Sequence, residues 1–254
     1  MNIVKSELFK LRKSKPFWVC LLVCAFVAAV LPFALYQGVK SGDPEFGSVS
    51  LSAIEVLCYS FGMPNLSLIA AVFVSVFASG EFHNGTMKNY VSKGMNRGKV
   101  FAAKFGVSAL AVTCMMIVYT PITLISGTIF LGFDPNGLFT VGTFLSMILT
   151  VWLLLMAYTA VFTAVSMTLR SNGASIGVNI CLVCIFPTLL SAIDFIFSGL
   201  GFSVSSLWID GSLSAVATMT PASGAVVKSV VIGIVWLIAS IAGGTALFRR
   251  KDIK

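Results

Sequence analysis

The stretch GEFHNGTMKNYVSKGMNRGKVFAAK, residues 80–104, is a basic, glycine-punctuated interruption between two long apolar blocks. It holds the single histidine, His83, and five of the seventeen Lys and Arg residues (Lys88, Lys93, Arg97, Lys99 and Lys104). A soluble domain scatters its charges over its surface. Here they are gathered between runs that carry almost none, so the runs face a medium that charge does not enter.

Composition agrees with that reading. Hydrophobic residues make up 57% of the chain and charged ones 10%, against about 25% charged in soluble domains. The mean hydropathy is +0.99. A bilayer core takes about 20 apolar residues per spanning helix, and six blocks meet that length: 17–39, 57–79, 101–131, 138–169, 174–197 and 226–248. Charge within them is confined to Lys104, Asp194 and Lys228 near block edges. The fold class expected is therefore an all-α integral membrane protein with six spans, organised as one membrane domain over residues 1–254. The third and fourth blocks exceed bilayer thickness, which predicts tilt or extension beyond it. The first block, with its long basic lead and long apolar run, reads as a retained helix rather than a cleaved signal peptide.

Charge placement orients the chain. With both termini in the cytoplasm, fifteen of the seventeen cations face inward and only Lys40 and Lys228 lie outside, as the positive-inside rule requires. Six of the nine acids (Asp43, Glu45, Glu55, Asp134, Asp194 and Asp210) fall outside. The net charge of +8 is thus a topology signal, and it implies no nucleic-acid partner. Residues 1–16 place Met1, Val4, Leu8 and Leu11 at helical spacing with cations on the other faces. This predicts an interfacial amphipathic helix on the inner leaflet, in contact with membrane lipid and ended by Pro16. Residues 198–225 are too broken to span and are expected outside, folded back as short helices buried by protein. The stretch 80–100 becomes a cytoplasmic loop between spans two and three, with a short cation-tipped helix ended by Gly94.

Chemistry inside the membrane finds few candidates. The spans hold no histidine, no paired carboxylates and no metal-binding motif, so no catalytic or metal residue is assigned. His83 reads as a loop residue. Cys20 and Cys24, like Cys181 and Cys184, share a helix face but lack further ligands, and they read as small apolar filler. Gly94-Met95-Asn96-Arg97-Gly98-Lys99 is one residue short of a phosphate-binding loop and is followed by Val100. The chain therefore binds no cofactor of its own. An ion-coupled carrier would show ionisable groups at mid-span, and none is present. Pro64, Asn65, Ser67, Tyr119 and Pro121 are polar or kinking positions that could border a translocation path, although Pro, Ser and Thr are also ordinary members of membrane helices. On the last span, Ala239 with Gly243 and Ser240 with Gly244 allow close helix contact, within one chain or between two.

The pattern Glu81, Gly85-Thr86, Lys88, then Arg97 and Lys104 resembles the cytoplasmic loop of type-2 ABC exporter permeases. The basic opening KSELFKLRKSK, the six spans, the broken segment before the last span and the terminal LFRRKDI extend the likeness in layout. The resemblance implies that residues 80–100 form a coupling helix docked on a separate ABC ATPase subunit, with ATP and magnesium held by that subunit. Glu81, Gly85, Thr86, Lys88, Arg97 and Lys104 would then be the coupling residues. It also implies a second permease copy or paralogue as partner, and a bacterial plasma-membrane exporter whose substrate is an amphiphile such as an antimicrobial peptide or antibiotic. The competing expectation is a non-transporting immunity or interaction protein that binds a toxin directly. Such a protein needs no cation-tipped loop.

Overall fold

The computed structural model describes residues 3–41, 52–83, 97–133, 140–197, 203–218, 221–222 and 224–250. Among these residues every regular element is helical. The chain runs through α1 (Ile3–Lys13), α2 (Lys15–Ser41), α3 (Ala53–Gly62), α4 (Asn65–His83), α5 (Arg97–Leu131), α6 (Val141–Leu169) and α7 (Asn172–Ile196). A 3-10 turn (Ser205–Leu207), α8 (Ile209–Val216) and α9 (Ala225–Arg250) complete it. Six of them, α2, α4, α5, α6, α7 and α9, are long and apolar enough to cross a bilayer.

Helix α6 is the centre of the bundle. It packs on α9, α4, α5 and α7, and its buried face runs almost unbroken from Leu154 to Thr163. Helices α2, α7 and α9 are peripheral, with Leu22, Phe26, Ile185, Phe195, Val231 and Ile238 exposed. An apolar surface this large would aggregate in water and is at home against lipid tails. At 35 residues, α5 is about 52 Å long at 1.5 Å per residue, so it outruns a hydrocarbon core of about 30 Å.

Two local features differ from the sequence expectation. The apolar block 57–79 is not one helix. A capping box starts α3 independently: Glu55 N–H donates to Ser52 Oγ (3.2 Å) and Ser52 N–H donates to Glu55 Oε2 (2.7 Å). The helix stops at Met63, which is extended at φ −81°, ψ 152°, as the residue before a proline prefers. Pro64 then opens α4, its carbonyl accepting from Leu68 N–H at 2.8 Å. Pro32, Pro121 and Pro187, by contrast, stay inside their helices. The second difference lies at the N-terminus. Helix α1 ends at Lys13, and the Ser14 hydroxyl accepts from Phe17 N–H at 3.4 Å as the cap of α2. Pro16 therefore lies in the first turn of α2, where a missing N–H costs nothing, and does not terminate the first helix.

The segment before the last span folds into the 3-10 turn and α8. Trp208, Ile209, Leu213 and Val216 are buried there, with α8 against α9, α6 and α3. Asp194, at the end of α7, holds the segment by accepting from Val204 N–H (2.6 Å), Ser205 N–H (3.0 Å) and Ser203 Oγ (2.8 Å). Trp208 sits edge-on to Phe186 and Trp236, with ring centroids at 4.6 and 4.7 Å.

Small residues let the core helices approach. An added Cβ on Gly244 of α9 would lie 2.7 Å from the Phe101 ring and 2.8 Å from Ala164 Cβ, whereas one on Gly243 would meet nothing within 4 Å. The Ser240–Gly244 pair therefore serves packing within the chain. Ala239 and Gly243 lie on the exposed face of the same helix.

Candidate functional site

The features of 80–104 that the structure describes converge on a four-charge cluster at one end of the bundle. Helix α1 supplies two members. Its residues Glu7 and Leu11 are one turn apart and buried, while Val4, Leu8 and Phe9 are exposed on the remaining surface. Lys10 stands beside Glu7 at i+3, with Nζ donating to Glu7 Oε1 at 2.9 Å. Glu81, in the last turn of α4, and Lys104, two turns into α5, supply the others.

Lys104 Nζ lies 2.7 Å from Glu7 Oε2 and 3.0 Å from Glu81 Oε1. Its third direction is taken by the Phe77 carbonyl at 3.4 Å, with the Phe77 ring centroid 4.5 Å from the ammonium. Lys10 also donates to Glu81 Oε1. Two carboxylates from α1 and α4 thus share two ammonium groups from α1 and α5, and the four charges cancel. Burial separates their roles. The Glu7 and Lys104 side chains are 1% and 2% exposed and Glu81 is 9%, whereas Lys10 is 39%. Removing a buried member of such a cluster leaves its partner's charge uncompensated and is strongly destabilising.

The surroundings keep the arrangement rigid. Ala78, Val100, Phe101, Met167 and Phe248 form a small apolar cluster joining α4, α5, α6 and α9 at this end. The Arg170 guanidinium lies 5.6 Å from the Phe82 ring centroid. Arg170 itself is in the left-handed region at φ 60°, where its N–H donates to Ser166 O and closes α6. A cavity of about 250 Å³ opens beside the cluster, with Lys10, Glu81, Lys104, Phe77 and Asn172 among its walls.

A second polar feature runs from this end into the bundle. Ser79 Oγ donates to Asn172 Oδ1 at 2.6 Å. One to two turns deeper, Asn179 Nδ2 contacts Ser75 Oγ at 2.8 Å, Ser166 Oγ at 3.1 Å and the Phe162 carbonyl at 3.4 Å. All of Ser75, Ser79, Ser166 and Asn179 are fully buried. The seam ties α7 to both α4 and α6 by hydrogen bonds, the usual substitute for hydrophobic driving force between helices in lipid.

Of the coupling residues expected from sequence, Glu81 and Lys104 come together. Gly85, Thr86 and Lys88 lie outside the described residues, as does the short helix expected around them. Arg97 begins α5, and its side chain is outside what is described. Of the path candidates, Pro64, Asn65 and Ser67 form the α3–α4 break, with Ser67 Oγ donating to Pro64 O at 3.0 Å. Tyr119 is fully buried against Phe61 of α3, ring centroids 6.1 Å apart. Pro121 is exposed and does not join them. Sequence reasoning missed Glu7 and Lys10. Their available signal was a lone acid set among five cations in residues 5–15. It also gave no special place to Asn179, whose partners lie on other helices. Among the described residues, no group of His, Cys, Asp and Glu has the arrangement of a metal site.

Six apolar helices, a lipid-suited surface and an N-terminal helix locked by buried charge define a polytopic helical membrane protein. The family model described as "ABC-2 family transporter protein" matches residues 3–188, from α1 through most of α7. The chain belongs to the ABC-2 transporter family, as its membrane-spanning component. No curated protein matches it.

Proposed function

We propose that the chain is the permease subunit of an ATP-driven exporter, with ATP and magnesium bound and hydrolysed on a separate ABC ATPase. The observation that carries this reading is the family match over residues 3–188, which includes the whole 80–104 stretch. Both termini and the 84–96 connection lie in the cytoplasm, in a cell membrane of bacterial type. The orientation follows from the positive-inside rule, and the bacterial membrane from the family resemblance. Lys5, Lys10, Arg12, Lys13, Arg97, Lys99, Arg170, Arg249 and Arg250 all fall at or beside the end of the bundle that carries α1.

In this reading Gly85, Thr86, Lys88 and Arg97 meet the ATPase. Glu81 and Lys104 are too buried to do so and instead anchor the two ends of the connection. A second permease copy or paralogue completes the transport unit, and the path between the two switches as the ATPases close. The break at Met63–Pro64 separates α4 from α3, which suits a helix that must tilt independently of the one before it. The substrate is an amphiphile, an antimicrobial peptide or antibiotic by the resemblance. Charge reversal tests the docking role. Lys88→Glu with Arg97→Glu is expected to abolish co-purification of the ATPase while the permease still reaches the membrane. Full retention of the ATPase by that variant would remove the 84–96 connection from the interface.

A further inference from the structure

The ion cluster reaches beyond the loop whose ends it joins, because half of it belongs to α1. Building on the coupling role proposed above, we infer that Glu7 and Lys104 are a positioning pair that makes α1, α4 and α5 move as one body. A displacement of the 84–96 connection is thereby delivered to the N-terminal helix.

Three observations carry this. The first is connectivity: Lys104 binds carboxylates of two different helices at 2.7 and 3.0 Å. A shift of α1 or α4 alone would strip one of them. The second is burial. Glu7 and Lys104 are 1% and 2% exposed, so a charge stripped of its partner there is poorly solvated, partial sliding is resisted and the three helices stay in register. The third is what else holds α1. Its main packing partner is α5, its outward face of Val4, Leu8 and Phe9 is exposed, and Ser14 breaks it from α2. A short helix with one charged attachment and a break behind it follows its attachment. Lys10 is the half-exposed fourth member, bridging Glu7 and Glu81 on the open side.

The chain pairs with its ATPase in phospholipid nanodiscs for the test, with the six native cysteines replaced. Spin labels placed pairwise at Lys5→Cys (α1), Ala102→Cys (α5) and Ala174→Cys (α7), all exposed positions, report distances with and without ATP. In the parent protein, ATP is expected to shift both the 5–174 and the 102–174 distance while the 5–102 distance holds. In Glu7→Gln, the 102–174 shift is expected to persist while the 5–174 shift is lost. A merely structural role would not make that split, since it would alter both distances or neither. Because Glu7→Gln risks misfolding, a second variant replaces the ion pair covalently. Glu7→Cys with Lys104→Cys, bridged by a short bis-methanethiosulfonate reagent while the spin labels at 5, 102 and 174 are carried on ketone-bearing residues that it does not attack, is expected to move α1 with α5 again, and without the bridge not to. If α1 still follows α5 in Glu7→Gln or in the unbridged pair, the positioning role is wrong and the coupling reading survives. If ATP shifts neither distance in the parent protein, the coupling reading and this inference fail together.

Discussion

The contact between α9 and the centre of the bundle offers a sharp test of the packing, because adjacent glycines face opposite ways. Gly244→Ala places a methyl group 2.7–2.8 Å from two Phe101 ring carbons and Ala164 Cβ, well inside van der Waals contact. Phe101 is fully buried among Ala78, Val100, Met167 and Phe248, so the ring has little room to retreat. Overpacking of this kind costs about 1–3 kcal/mol, offset by up to about 1 kcal/mol from the better helix propensity of alanine. The net expectation is a loss of about 1–2 kcal/mol at Gly244. Gly243→Ala meets nothing within 4 Å, so only the propensity gain of about 0.5–1 kcal/mol remains there. At about 2–4 °C per kcal/mol for a chain of this size, the two variants should melt on opposite sides of the parent. Thermal unfolding in detergent, followed by tryptophan fluorescence, reads the difference. Equal shifts in the same direction, or a Gly243 variant less stable than the Gly244 one, would refute the assigned helix rotation.

Other substitutions probe the buried polar groups. Lys104→Met leaves Glu7 and Glu81 with Lys10 as their shared cation and is expected to cost about 3–5 kcal/mol. Lys10→Met, at the half-exposed position, should cost no more than about 1 kcal/mol; melting curves that reverse this order would contradict the two-depth cluster. Asn179→Leu loses the contacts to Ser75, Ser166 and the Phe162 carbonyl, and a loss of about 1–2 kcal/mol is expected at the usual strength of such bonds in membranes. An unchanged melting temperature would show that the seam does not hold α7. In α3, burial, with a smaller contribution from the Glu55 carboxylate, pushes the Cys58 thiol up to about 11. Its thiolate is therefore scarce below that pH, and alkylation by iodoacetamide in a variant keeping Cys58 as its sole cysteine should stay slow at pH 8 and rise by pH 10. Rapid labelling at pH 8 would contradict the burial.

How far the sequence led depends on what each feature required. The six spans were legible because bilayer thickness imposes a length that apolar runs either reach or miss. The break at Met63–Pro64 was half legible. Four prolines lay within apolar blocks, and sequence alone did not say that Pro32, Pro121 and Pro187 remain inside helices while Pro64 ends one. The deciding signal was upstream, where Ser52 and Glu55 have the spacing of a capping box and give α3 a start of its own. Glu81 and Lys104 were marked as coupling residues by the pattern that holds them, yet their burial was not visible, because it depends on Glu7 more than seventy positions away. Pairing between distant residues leaves no trace in spacing. It shows only as an acid placed against the charge of its surroundings, which is what Glu7 is in the basic α1. The side of the α9 helix that packs inward was likewise undecidable from Ala239, Ser240, Gly243 and Gly244, since both diagonal pairs have the same small-residue spacing.

The central claim is that this permease draws its energy from another chain, and purification tests it most directly. The full-length protein, tagged and extracted from the membranes in which it is naturally made, is expected to bring down a P-loop ATPase. The complex should hydrolyse ATP, and the chain stripped of that subunit should hydrolyse none. Retention of no ATPase under mild extraction, or ATP hydrolysis by the isolated chain, would contradict the account.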